Sequence, residues 1–113
     1  MASVDKWNIV FAKGANYTQT ITVSGVANIA TATEWRVRCA FPDESAFLVA
    51  TSNNGMLIAG TSSSQKILTV TAATTSGFAL GNARFDFEVE FPDGTVSRYI
   101  SNGLCQINPE VGV

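Results

Sequence analysis

Two stretches decide the fold: Glu34-Trp35-Arg36-Val37-Arg38-Cys39-Ala40-Phe41, and Arg84-Phe85-Asp86-Phe87-Glu88-Val89-Glu90-Phe91. In an extended chain successive side chains point to opposite sides. Trp35, Val37, Cys39 and Phe41 therefore share one face, with Glu34, Arg36 and Arg38 on the other. The later stretch repeats the pattern, with Phe85, Phe87, Val89 and Phe91 opposite Arg84, Asp86, Glu88 and Glu90. Apolar in and charged out is the mark of a strand covered on one side only. Both runs end in Phe-Pro-Asp, at Phe41-Pro42-Asp43 and Phe91-Pro92-Asp93, because proline removes a ladder donor and restricts the residue before it. The residues flanking the two endings differ, so there is no internal repeat. If the two strands are neighbours, Arg36 and Arg38 face the carboxylates of Asp86, Glu88 and Glu90, at roughly 0.2–1 kcal/mol per opposite-charge pair.

Working outward, Trp7 to Lys13 reads as a first strand closed by Gly14. Tyr17 to Val23 alternates as a second, with Ser24-Gly25 as a turn. Phe47 to Ala50 is a short apolar run, and Asn54-Gly55 supplies the positive backbone angles of a tight hairpin, so Met56 to Ala59 is expected to return antiparallel. Lys66 to Ala72 is a further strand. Ala72 to Leu80 holds the only helical turn, kept short by Gly77 and Gly81. Pro92-Asp93-Gly94 reverses the chain into Thr95 to Ser101, and Asn102-Gly103 then reads as a bulge that resets the inward positions to Cys105 and Ile107. Seven to nine short strands, with at most one short helical turn near 72–80, predict an all-β, antiparallel two-sheet β-sandwich. A tryptophan on a mid-chain strand beside the penultimate strand is the immunoglobulin-like arrangement. The predicted core comprises Trp35, Val37, Cys39, Phe85, Phe87, Val89 and Ile107. The chain is expected to form a single domain over 1–113, with 1–6 and 109–113 as terminal extensions.

Composition excludes more than it selects. The 113 residues are 46% hydrophobic, enough for a core, and only 14% charged, with a net charge of −2. A nucleic-acid footprint needs the opposite balance, concentrated on one face. No histidine is present, which removes the commonest general base, the commonest zinc ligand and the Ser-His and Cys-His dyads. There is no Gly-x-Ser-x-Gly elbow, Walker loop or dinucleotide fingerprint. No catalytic, cofactor-binding or metal-binding residues are assigned, and the expected protein is not an enzyme. Cys39 and Cys105 do not form a metal knuckle or a disulfide framework and read as free, buried thiols. The N-terminus carries no secretory signal and the longest apolar runs are about five residues, far short of the ~20 that span a bilayer. No membrane or nucleic-acid partner is therefore expected. The row Asp86, Glu88, Glu90 is the best candidate for chemistry, as a calcium site or an acid–base pair. An arginine-paired, solvated face is the simpler account. Asp43-Glu44 and Asp93 could gather only if the two Phe-Pro-Asp corners are adjacent.

A resemblance adds a functional expectation. Lys13-Gly14-Ala15-Asn16-Tyr17 followed by Thr20-Ile21-Thr22-Val23, and Asn28-Ile29-Ala30-Thr31-Ala32-Thr33 leading into Trp35-Arg36-Val37-Arg38, resemble segments of the small immunoglobulin-like sandwich modules of tailed-bacteriophage virions. The closing half resembles them best: Gly81 before Phe85-Asp86-Phe87-Glu88-Val89, Pro92-Asp93-Gly94-Thr95-Val96-Ser97-Arg98, and Gly103-Leu104-Cys105-Gln106-Ile107-Asn108-Pro109-Glu110-Val111. The resemblance implies a virion structural protein assembled in the bacterial host cytoplasm. Its first form is a capsid decoration or cement subunit, present as symmetry-repeated copies or a homo-oligomer on the major capsid protein. A tail, baseplate or fibre-adaptor subunit is the alternative, and a carbohydrate-binding adhesion module the third. Partner contact is expected at Pro109, Glu110 and Val111, where proline ends the ladder, and on the two-sided apolar hairpin at Phe47, Leu48, Met56 and Leu57.

Overall fold

The two deciding stretches are hydrogen-bonded neighbours. In the computed structural model, which describes residues 7–109 and the backbone of Ser3–Val4, Glu34–Ala40 forms strand β4 and Gly81–Glu90 forms strand β8. They pair antiparallel with Trp35 opposite Val89, Val37 opposite Phe87 and Cys39 opposite Phe85. All six of those side chains are buried. On the outer face Arg36 stands opposite Glu88 and Arg38 opposite Asp86, so both arginines face the acidic row as expected.

The remaining strands are β1 (Ser3–Val4), β2 (Ile9–Ala12), β3 (Tyr17–Ser24), β5 (Ala46–Thr51), β6 (Leu57–Ala59), β7 (Gln65–Val70) and β9 (Val96–Asn108). Among the described residues they form one sheet of order β1-β3-β7-β6 and a second of order β2-β9-β8-β4-β5. The protein is a β-sandwich with the strand order of an immunoglobulin domain: four strands against the last, penultimate and tryptophan-bearing strands, plus two added strands, β2 and β5, at the edges of the second sheet. Trp35 sits at 2% exposure on the strand that carries the buried tryptophan in that fold. Ile21, Val23, Leu57, Leu68 and Val70 from the first sheet meet Ile9, Phe11, Val37, Phe85, Phe87 and Ile107 from the second. The predicted core residues are all within this cluster.

Three features depart from the expected plan. β2 pairs parallel with β9, Ile9 beside Cys105 and Phe11 beside Ile107, so the sandwich is not wholly antiparallel. Parallel strands need a long connection rather than a hairpin, and here almost the whole chain lies between them. The predicted hairpin at Asn54-Gly55 does not form. β5 pairs with β4 at the edge of one sheet, whereas β6 pairs with β7 in the other. The turn at Thr51–Met56 instead carries the chain across the sandwich, with Gly55 at φ 84°. Third, the two Phe-Pro-Asp corners lie at opposite ends of the sheet, because antiparallel pairing sets Ala40 against Arg84 and Glu34 against Glu90. Asp43-Glu44 and Asp93 therefore cannot gather.

The only α-helix among the described residues is α1, Ala72–Thr75, a single turn inside the expected 72–80 window. Thr75 fixes it. Its hydroxyl, fully buried, accepts from the Gly14 N–H at 3.1 Å and donates to the Ala15 carbonyl at 2.8 Å. The Ala72 N–H donates to Asn16 Oδ1 at 2.7 Å, so the turn after β2 and the helix clamp each other. Cys39 and Cys105 are free and buried, as expected. A hydrogen bond between the thiols and burial push the Cys39 thiol up, which keeps it protonated and unreactive.

Candidate functional site

The outer face of the five-stranded sheet carries the polar chemistry. Glu34 and Glu90 stand directly opposite each other, an arrangement that like-charge repulsion disfavours. Arg36 resolves it. Its guanidinium reaches Glu34 Oε1 at 2.8 Å, Glu88 Oε1 at 2.7 Å and Glu90 Oε1 at 3.5 Å. Arg98 closes the other side of Glu88 at 3.2 Å. Glu88 is 7% exposed, because the two arginine side chains cover it. Burial pushes its carboxyl up, and the hydrogen bonds from Arg98 and Arg36 more than reverse this, leaving it below the usual carboxylate range. Burial works against the charge on Arg36 too, and the hydrogen bonds and charges of Glu88, Glu34 and Glu90 together outweigh it. Asp86 accepts the Asn102 N–H at 2.9 Å. Every carboxylate of the candidate row is thus engaged by a donor, Glu88 and Glu90 by arginine and Asp86 by a backbone amide. Among the described residues no three Cys, Asp or Glu side chains converge as metal ligands.

Asn102 belongs to the expected bulge. It has φ 60°, and the β8–β9 register shifts between Phe85 and Phe87. Gly103 follows because any side chain there meets Phe85: a Cβ would lie 2.5 Å from its ring. The bulge, the corner after β4 and the free ends of two arginines enclose a hollow of about 280 Å³ lined by Arg38, Arg84, Asp86, Phe41, Pro42 and Asn102. Unlike Arg36 and Arg98, Arg38 and Arg84 form no ion pair within 4.0 Å among the described residues. Arg38 faces the acidic row as expected, opposite Asp86, but forms no ion pair with it, because Asp86 is turned to the bulge amide.

A second hollow, about 440 Å³, is bordered by Trp7, Asn8, Tyr99 and Ser101 to Gly103. Trp7 is half-buried, 5.2 Å from the Phe85 ring and 6.2 Å from Phe87. Its Nε1 is buried with no hydrogen-bond partner among the described residues, and the Tyr17 hydroxyl is close enough to feel it. Burial pushes that Tyr17 hydroxyl up to about 12.

The sequence-predicted contact residues are dispersed. Leu48 and Leu57 are core, at 4% and 2% exposure on different sheets. Phe47 is half-buried between Phe41 and Phe78, with ring centroids at 5.2 and 4.9 Å. Met56 is also half-buried against the core. The two-sided apolarity of this segment is therefore met largely inside the fold, and Val49 and Ile58 are the side chains it exposes, at 38% and 46%. Pro109 is exposed beyond β9, and Glu110 and Val111 lie outside the described residues.

Sequence reasoning missed the guarded edge of β5. Asn54 donates from Nδ2 to the Val49 carbonyl at 2.8 Å and accepts from the Thr51 N–H at 3.0 Å and the Met56 N–H at 3.1 Å. Its carboxamide thereby occupies the place of a neighbouring strand's peptide group. The signal was the asparagine itself, whose side chain carries the donor and acceptor of a peptide bond.

No protein-family model matches the chain, and no curated protein matches it in sequence.

Proposed function

We propose that the protein is a non-enzymatic structural subunit of a bacteriophage virion, most simply a capsid decoration or cement subunit that binds the shell in many copies. The carrying observation is the closing β8–β9 hairpin. The residues by which the chain resembles virion sandwich modules, Phe85 to Val89 and Pro92 to Arg98, form the centre of the larger sheet. A rigid, ion-paired outer face suits repeated attachment, in which each copy adds a modest interface and symmetry multiplies it. Fold alone does not choose a location in the particle, so copy number tests the reading. Quantitative mass spectrometry of purified particles should find hundreds of copies. A few to a few dozen would move it to the tail, baseplate or fibre-adaptor alternative, and absence from particles would overturn it. Deleting residues 109–113 should leave a folded domain that no longer incorporates.

A second reading has its own observation. Trp7 and Tyr99 both border the larger hollow, and aromatic faces are what sugar rings stack on. Glycan-array binding by the isolated protein, lost in Tyr99→Ala, would favour an adhesion module.

A further inference from the structure

The sheet's outer face divides its four arginines into two kinds. Arg36 and Arg98 are spent on Glu88 and its neighbours. Arg38 and Arg84 are exposed, line one hollow, and share with it a single acid, Asp86. That acid is held by the Asn102 backbone N–H. The hollow is therefore one positive charge in excess on a chain whose net charge is −2. One wall is apolar, built from Phe41 and the exposed Pro42. At about 280 Å³ it has room for one side chain rather than a drug-sized ligand. Guanidinium groups bind carboxylates through parallel N–H···O bonds, and the fork geometry prefers them to a point-like anion.

We propose that this hollow, between Arg38 and Arg84 and against Phe41 and Pro42, receives one glutamate side chain presented by the protein partner on which the domain docks. The carboxylate neutralises the excess charge and the aliphatic stem lies on the apolar wall. The inference rests on the docking role proposed above and adds the partner's chemistry to it. Its geometry is built in before binding: the bulge holds Asp86 back, and the corner at Phe41-Pro42 has Asp43 at φ 61°, an unusual left-handed conformation for a residue other than glycine.

The test uses the isotope-labelled full chain, titrated with a blocked Gly-Glu-Val peptide and observed at the arginine Nε–H and Asn102 N–H resonances. Saturable shifts at Arg38, Arg84 and Asn102 are expected, with the Gly-Gln-Val peptide binding at least about tenfold more weakly. Arg38→Gln and Arg84→Gln, both exposed sites, should each weaken binding by a similar factor without unfolding the domain. Absence of saturation, or equal binding of the Gln peptide, would overturn the proposal. So would saturation by glucuronate without the peptide, which would assign the hollow to an acidic sugar. Peptide binding that appears only in Glu110→Gln would show the chain's own tail filling the hollow, and would overturn it too. Failure here is distinguishable from failure of the virion reading. An Arg38→Gln/Arg84→Gln double variant that enters particles at the wild-type copy number removes this inference and leaves that reading standing. Wild-type protein absent from particles removes the reading itself.

Discussion

Glu88→Gln isolates the ion-paired face, because it removes one charge and keeps the shape. The wild-type carboxylate accepts from Arg36 at 2.7 Å and from Arg98 at 3.2 Å. Exposed pairs contribute about 0–1 kcal/mol, and breaking a fully buried one costs about 3–5 kcal/mol. Glu88 falls between these limits. Its side chain is 9% exposed, but Arg36 keeps Glu34 and Glu90 as partners and the Arg98 side chain is 49% exposed. A loss of about 1–2 kcal/mol at pH 7 is expected, or a fall of roughly 1 M in the urea midpoint at unchanged slope. The pH dependence is the sharper check. The folded carboxyl lies below its ordinary value of 4.5. Its contribution is therefore complete above that value and is lost as pH falls through the lower, folded one. The gap between wild type and Glu88→Gln should close as the solution is acidified below 4.5 and stay constant from there to neutrality. Equal midpoints at pH 7, or a gap that persists unchanged at pH 2.5, would refute the reasoning.

Three further substitutions probe the scaffold. Gly103→Ala places a methyl 2.5 Å from the buried Phe85 ring, so a loss of about 1–3 kcal/mol from overpacking is expected in urea denaturation. A neutral result would mean that the bulge yields. Thr75→Val keeps the shape but strands the Gly14 N–H and Ala15 carbonyl; it should cost about 1–3 kcal/mol, and faster amide exchange at Gly14 would identify the lost bond. Asn54→Ala uncovers the Val49 carbonyl and Thr51 N–H on the edge of β5. Sedimentation should show concentration-dependent self-association absent from the wild type, because an open, uncharged edge invites strand addition.

The fold was legible where one residue type had one explanation. Alternation in Glu34–Phe41 and Arg84–Phe91 specifies two half-buried strands, and their opposite charges bring Arg36 and Arg38 to face the acidic row, though not in a particular register. Pro92-Asp93-Gly94 specifies a reversal, and the structure closes it with Gly94 at φ 87°, the Phe91 N–H on the Thr95 carbonyl and the Gly94 N–H on Phe91. Asn54-Gly55 failed as a hairpin signal for a physical reason. Positive φ at Gly55 reverses the chain locally, but it does not say which sheet receives the next strand. Here Asn54 spends its side chain on the edge it leaves, and β6 pairs with β7. The parallel pairing of β2 with β9 was illegible for a related reason: it joins the two ends of the chain, and no local pattern carries a contact of that separation.

The candidate site shows the same limit more sharply. Composition and alternation place Asp86, Glu88 and Glu90 in one row, yet their chemistry depends on what each oxygen meets, which is a matter of register and bulge rather than residue type. Had β9 continued without the bulge at Asn102, its amide would not be aimed at Asp86, and Arg38 would stand opposite a free carboxylate as the charge pattern alone implies. The bulge arises where Gly103 must admit the Phe85 ring. The bulge aims the Asn102 amide at Asp86, takes that carboxylate out of the ion ladder, and leaves Arg38 and Arg84 without an acid within 4.0 Å among the described residues. The two free arginines are then a consequence of the bulge. Removing its constraint, rather than touching either arginine, should let Arg38 and Asp86 pair and close the hollow to any carboxylate from outside.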